Sequence, residues 1–283
     1  MVIFLLLFGR LEINTDRAIK NCKFDGCYSS GNGGAILVTA NCRCSFESNT
    51  FIRCRAGNQA GAIYADTGFH KSIRNTALQC SGGAADSFRF GSMSGVSSLD
   101  FNLTTVSKCS GQHGLTIGSA KFVNCNNNTT NCVHQLFGDI VLCQTEPNRM
   151  SSRHNIVESC TTSHAILSFY VGCQYTSALI YRAIFFNSTA SYIIDPNSYQ
   201  CAHALYNSYF CNLVITNYIA TNTKFINCTF GFDYSKFSLN GNSFDGCITS
   251  QIECTIPTCS FTDSKSHNTN LLLVLALLCL IGQ

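Results

Sequence analysis

Phe24-Asp25-Gly26-Cys27 is followed by Gly34-Ala35-Ile36-Leu37, and one repeat later Phe51-Ile52-Arg53-Cys54 is followed by Gly61-Ala62-Ile63-Tyr64. The first tetrapeptide, aromatic-x-x-Cys, recurs at Phe122–Cys125, Tyr170–Cys173, Phe225–Cys228 and Phe244–Cys247. In five of the six copies Gly or Asn precedes the cysteine: Gly26, Asn124, Gly172, Asn227 and Gly246. Those residue types accept positive φ most readily. The motif therefore reads as a strand end with an inward aromatic, a left-handed bend, and a cysteine turned inward again. Aliphatic versions lie at Val106–Cys109, Ile140–Cys143 and Val157–Cys160. The second tetrapeptide, small-Ala-aliphatic-apolar, has looser copies at His164–Leu167, Ser177–Ile180 and His203–Tyr206, and a degenerate one at Gly82–Ala85. Small residues there let the backbone turn tightly and neighbouring turns approach closely.

Spacing turns the motif into an architecture. From Cys27 the cysteines fall at 54, 80 and 109, then at 125, 143, 160 and 173, and finally at 211, 228 and 247. One turn of a parallel β-helix needs roughly 18 residues or more, because three short strands and their bends must fit. Leucine-led or helical repeat patterns are missing. The expected fold is all-β, a single parallel β-helix of about ten coils over residues 14–259, a rod on the order of 50 Å long at ~4.8 Å per coil.

Composition agrees. Of 283 residues only 12% are charged, three are proline, and asparagine reaches 26. Stacked coils place each side chain over its counterpart, so Phe on Phe and Asn on Asn are favoured, while like charges repel. With 18 Lys+Arg against 15 Asp+Glu no field is available to hold nucleic acid. The 19 cysteines point to an oxidising compartment. Parallel Cβ vectors on adjacent coils suit disulfides poorly, so some ladder cysteines are expected reduced and others, at turns, paired.

Gly33-Gly34-Ala35-Ile36 and Phe46-Glu47-Ser48-Asn49 resemble the repeated G-G-A-I and F-x-x-N tetrapeptides of the chlamydial polymorphic membrane proteins. Lys121-Phe-Val-Asn-Cys125 and Lys224-Phe-Ile-Asn-Cys228 are similar to the F-x-N-C form in Cys- and Asn-rich surface proteins of parasitic protists such as trichomonads. The resemblance covers roughly Asn21 to Cys259. It implies a right-handed β-helix, surface exposure and a role in adhesion, and it brings no catalytic residues.

Both ends are apolar. Residues 1–13, with Val2–Phe8, read as a signal peptide or as a first strand. Residues 260–270 read as a polar linker, and residues 271–283 as a membrane-anchor segment or anchor signal. The eleven apolar residues Leu271–Ile281 reach only ~16 Å as a helix, about half a hydrocarbon core. A lipid-anchor signal fits that length, although Lys265 follows Ser264 at the attachment region; a truncated transmembrane helix is the alternative.

Chemistry is sparse. A β-helix lyase or hydrolase needs clustered carboxylates or bases on adjacent coils. The 15 acidic residues are dispersed, and Asp25 and Asp245 lie many coils apart. Cys42-Arg43-Cys44 lacks a second ligand pair at zinc spacing. His164 and His203 fall in the Ala-aliphatic slot and read as structural. No nucleophile elbow or phosphate loop is present. No cofactor is expected. Sequons stand at Asn102, Asn127, Asn128, Asn187 and Asn227. Asn227 is expected to be least accessible, and the run Asn126–Asn131 to be a loop. The expected function is non-enzymatic: an extracellular-facing surface protein, held at a membrane by its C-terminal segment, offering one long side to a host-cell or carbohydrate ligand. The alternatives are a carbohydrate-active β-helix enzyme and a degenerate structural member without a ligand.

Overall fold

The computed structural model describes residues 6–7, 9–83, 87–90, 96–119, 122–123, 127–144, 150–170, 177–194, 202–218, 223–235 and 241–250. The chain divides into two units, 1–252 and 253–283. The second unit, with the linker and apolar tail expected there, lies outside the described residues.

Every named element is a β-strand and every pairing is parallel, so the described chain is a β-solenoid. One coil runs through three faces. Face 1 holds Arg17–Lys20 and its successors Arg43–Glu47 and Gly68–Ile73. Face 2 holds Lys23–Asp25, Thr50–Ile52 and Thr76–Leu78. Face 3 is bent, with Tyr28–Ser29 before the bend and Ile36–Val38 after it. Face 2 is one sheet of eleven strands from Leu6–Leu7 to Ile248–Thr249, whereas face 1 is two sheets of five. Leu6–Leu7 pair with Lys23–Phe24, and Leu11–Ile13 with Ile36–Val38.

The inward rows are the expected ladders. On face 2, Phe24, Phe51, Ala77, Val106, Thr129, Val157, Phe185, Phe210 and Phe230 stand in register. Phe24 stacks on Phe51 at 5.0 Å, Phe185 on Phe210 at 5.1 Å and Phe210 on Phe230 at 4.8 Å. On face 1, Phe225 stacks on Phe244 at 5.0 Å. Each such pair contributes about 0.5–1.5 kcal/mol beyond area burial.

The two glycines of Gly33-Gly34-Ala35-Ile36 do different work. Gly33 has φ +65, and a Cβ there would meet the Ile36 carbonyl at 2.3 Å. A Cβ on Gly34 would sit 2.3 Å from the Gly61 carbonyl oxygen and 2.5 Å from that of Arg55, both on the next coil. Ala35 is fully buried, and Ile36 pairs with Ile63.

Coil length departs from expectation. The corner cysteines of successive coils are Cys27, Cys54, Cys80, Cys109, Cys132 and Cys160, so coils take 23 to 29 residues in this part of the chain. The shorter steps through 125, 143 and 173 mixed positions: Cys143 lies near the end of the face 3 strand Val133–Gln144, opposite Gly118, and Cys125 and Cys173 lie outside the described residues. Phe122 pairs with Leu99 on face 1, and Tyr170 ends a face 3 strand. Asn127–Thr130 is not a loop. It is a face 2 strand between Thr104–Ser107 and Ile156–Glu158, whose ladders impose an extended backbone on it.

Candidate functional site: corners and an outward row

Two corners per coil carry the sequence motif. The first joins face 1 to face 2, and its left-handed residues include Asn21, Ser48, Arg74, Leu103, His154, Arg182, Asn207, Asn227 and Gly246. The second joins face 2 to face 3, with Gly26, Arg53, Gln79, Lys108, Asn131, Ser159, Asn187 and Asn212. Gly and Asn therefore do not define the bend. Stacking holds each residue there, because its N–H donates to a carbonyl of the next coil, as Arg53 does to Leu78 at 2.9 Å. The long side chains point away from the core, so only backbone strain opposes them.

The residue after the bend turns inward, and at five bends its N–H is met by a side chain and not by a strand carbonyl. The side chain in the same slot one coil on accepts that proton. Cys22 N–H donates to Asn49 Oδ1 at 3.0 Å, and Asn49 N–H to Asn75 Oδ1 at 2.9 Å. Ala183 N–H donates to Ser208 Oγ at 3.2 Å. At the second corner Cys80 N–H donates to Cys109 Sγ at 3.3 Å, and Cys160 N–H to Ser188 Oγ at 3.1 Å. Ser188 and Ser208 hydroxyls in turn donate to carbonyls two residues back, at 3.0 and 3.1 Å. The Cys109 thiol does the same to Ser107 at 3.3 Å. Cysteine thus fills a serine's role in a buried slot.

This corrects several sequence expectations. Aromatic-x-x-Cys is not one ladder: Phe24–Cys27 and Phe51–Cys54 turn the second corner, while Phe225–Cys228 and Phe244–Cys247 turn the first. Some turn cysteines are expected to pair, and Cys211, beside the Asn212 bend, is disulfide-bonded. Cys27, Cys54, Cys80, Cys109, Cys132, Cys160, Cys228 and Cys247 form no disulfide, and the thiols of Cys54, Cys80, Cys160, Cys228 and Cys247 meet carbonyls of the preceding coil. The continuous asparagine ladder is, at Asn49 and Asn75, a pair that gives way to Thr104 in the next coil. Charges do stack where signs alternate: Glu47 pairs with Lys20 at 2.8 Å and with Arg74, and Asp25 pairs with Arg53 at 2.5 Å and with Lys23 at 3.5 Å.

Those ion pairs decide what the carboxylates can do. Hydrogen bonding to Arg53 holds the Asp25 carboxyl below its usual range, and Lys20 and then Arg74 do the same for Glu47. Both are ionised at neutral pH, the opposite of a general acid. Among the described residues no cluster of three or more His, Cys, Asp or Glu could hold a metal. His164 packs edge-on against Tyr192 at 5.1 Å; the side chain of His203 lies outside the description. Among the sequons, Asn187 and Asn227 are exposed at bends, and Asn102 and Asn128 are half-buried. Asn227 is therefore accessible, contrary to expectation, because the left-handed residue points outward and the following cysteine takes the buried position. Asn128 turns its Oδ1 out of reach of solvent; the side chain of Asn127 lies outside the description.

What faces solvent regularly is the outer row of face 3. Tyr28, Arg55, Ser81, Ser110, Val133, Thr161, Thr189 and Val214 are in register, one per coil. At ~4.8 Å per step the row runs roughly 34 Å. Tyr28, Val133 and Val214 are 66%, 56% and 57% exposed. A second hydroxyl line lies beside it, where Thr216 Oγ1 meets Ser191 Oγ at 3.3 Å and Ser191 Oγ donates to the Ser163 carbonyl at 2.9 Å. From Ser81 to Val214 the row carries no ionisable group. At its N-terminal end Gly26, Cys27, Tyr28, Arg53 and Arg55 line a shallow depression of about 460 Å³. No signal in the aromatic-x-x-Cys count marks this row, because its members lie one residue past the corner cysteine, or past Ser188 and Leu213 where those replace it, and vary freely. Compared with protein-family models, curated proteins and solved structures, the chain matches none.

Proposed function

We propose that this is a non-enzymatic, surface-displayed solenoid whose face 3 row binds an extended carbohydrate or host-cell ligand. The observation that carries the reading is the uncharged line of β-branched and hydroxyl side chains from Ser110 to Val214, exposed apart from half-buried Thr189 and spaced at one coil. A flat, periodic, uncharged strip suits contact along a chain better than it suits a compact substrate, which favours concave sites. Hydroxyls offer both donors and acceptors to a sugar, and Val133 and Val214 offer apolar contact. Ionised, paired Asp25 and Glu47 support a binding role over acid–base chemistry. The apolar run of residues 271–283 and the resemblance of the repeats support display at the cell surface, and Asn187 and Asn227, both exposed at bends, are the glycan acceptors the geometry favours.

The test is twofold. Impermeant labelling of intact cells, with and without phospholipase, should find the protein outside and report its anchor; label restricted to the cytosol refutes display. Purified chain should bind glycans or host cells, and Thr161→Arg should weaken that binding at least tenfold while leaving the fold intact. Equal binding by wild type and variant removes face 3 as the site.

A further inference from the structure

Cys42 and Cys44 flank Arg43, where the chain enters face 1. Side chains at i and i+2 of a strand share a side. Here a tight bend, in which Cys42 N–H donates to the Ala40 carbonyl at 2.9 Å, leaves the first cysteine close to the second. Their sulfurs lie 3.4 Å apart, and the residues are only 6% and 3% exposed. Neighbouring coils clamp the backbone on both sides. Arg43 N–H donates to Asp16 Oδ1 at 2.8 Å, and Phe69 N–H donates to the Cys42 carbonyl at 3.1 Å. Gly68 approaches so closely that a Cβ would lie 2.3 Å from that carbonyl oxygen. Corner thiols, by contrast, sit one per coil with parallel Cβ vectors and give their protons to carbonyls.

We infer that Cys42 and Cys44 form a dithiol modification site, which a small-molecule disulfide oxidises to an intrachain disulfide. The sulfurs must close by roughly 1.4 Å from their present contact to the ~2.04 Å of an S–S bond. Oxidation runs by thiol–disulfide exchange through local opening of the bend. The Cys42 sulfur, having lost its proton, attacks one sulfur of the oxidant, forming a mixed disulfide and releasing one small thiolate that takes up a proton. The Cys44 sulfur then attacks the Cys42 sulfur, and the second small thiol leaves with the other proton. Two protein thiols are oxidised and one small disulfide is reduced to two thiols. Burial, and then Cys42 beside it, push the Cys44 thiol up to about 12, which makes it a poor first nucleophile and the resolving partner. The inference is independent of the surface-display reading.

The sequence supplies a clean assay. Trypsin cuts after Arg43, between the two cysteines, giving Phe24–Arg43 and Cys44–Arg53. The reduced full-length protein is exposed to oxidised glutathione, quenched with N-ethylmaleimide in denaturant, and digested. The expected product is those two peptides joined, linked at Cys42 by fragment-ion assignment, with Cys27, Cys54 and Cys80 alkylated. Recovery of the two peptides separately, alkylated at Cys42 and Cys44, overturns the inference, as does linkage of Cys44 to any other cysteine. Cys44→Ser should stop at the first step and carry one glutathione on Cys42. A soluble Cys44→Ser chain with no glutathione there overturns the assigned order.

Discussion

Replacing Asn75 by alanine should open the first corner from inside. Asn75 is fully buried and makes four hydrogen bonds: it accepts from Asn49 N–H at 2.9 Å and Asn49 Nδ2 at 3.1 Å, and donates to the Phe46 carbonyl and Ser72 Oγ, both at 2.9 Å. Alanine leaves the Asn49 N–H buried without an acceptor, at about 1–3 kcal/mol, and forfeits two donations at about 0.5–1.5 kcal/mol each. The sum is about 2–6 kcal/mol. Serine restores an acceptor, as Ser208 and Ser188 provide in their own coils, so Asn75→Ser should recover about 1–3 kcal/mol of the loss. Solenoids open by segments, so a single global unfolding energy would blur the effect. Native-state hydrogen exchange at the Asn49 amide reads it directly, with each ~1.4 kcal/mol appearing as tenfold faster exchange. Unchanged protection at Asn49 in the alanine variant, or serine no better than alanine, would refute the side-chain relay.

Three further outcomes follow from the same geometry. Gly34→Ala should cost about 1–3 kcal/mol or more by overpacking, because its Cβ meets the backbone oxygens of Gly61 and Arg55 rather than a yielding side chain; thermal unfolding of the variant checks this. Cys80→Ser should be tolerated better than Cys80→Val, since serine keeps both the donation to Leu78 and an acceptor site while valine keeps neither; denaturant midpoints should rank them in that order. Burial lowers the pKa of His70, which stays neutral between Phe46 and Phe90 with Nε2 against the Thr67 carbonyl. A base depressed in the fold stabilises fully above its unfolded value near ~6.5 and loses that contribution as pH falls through it. His70→Phe should therefore flatten the acid limb of the stability profile below about pH 6.5, and an unaltered slope would count against the assignment.

Much of the fold was legible because some positions admit few residues. Gly33 and Gly34 are fixed by a positive φ and by a carbonyl on the next coil, and Phe24 over Phe51 by stacking. Those constraints leave marks in sequence. The coil length was not legible, because the two corners pose the same problem and accept the same answers. Phe51-x-x-Cys54 and Phe225-x-x-Cys228 look alike while turning opposite ends of face 2. The bend residue was equally misleading: Arg53, Gln79 and Lys108 hold φ near +50 as steadily as Gly26 holds its own. Their side chains extend into water, so nothing but the stacked backbone selects against them. The face 3 row was invisible for the related reason that Ser110, Val133 and Thr161 share exposure, not identity.

The cysteine count is the deepest case. Nineteen cysteines suggest a disulfide framework, yet six in succession serve a corner that Ser188 serves one coil later. The choice between them follows from desolvation. A hydroxyl buried with imperfect partners costs roughly 1–3 kcal/mol, whereas a thiol is a small hydrophobe with a weak donor and loses less. Around the second corner the inward neighbours on face 2 are Phe24, Phe51, Ala77 and Val106, and carbonyls of that face lie 3.6–3.8 Å from the sulfurs, a long contact for a hydroxyl and an ordinary one for a thiol. Cysteine there answers to packing, and the count by itself says little about compartment. Compartment is better read from Cys42 and Cys44, whose sulfurs contact each other: joined in cells, they mark an oxidising environment, and free, a reducing one.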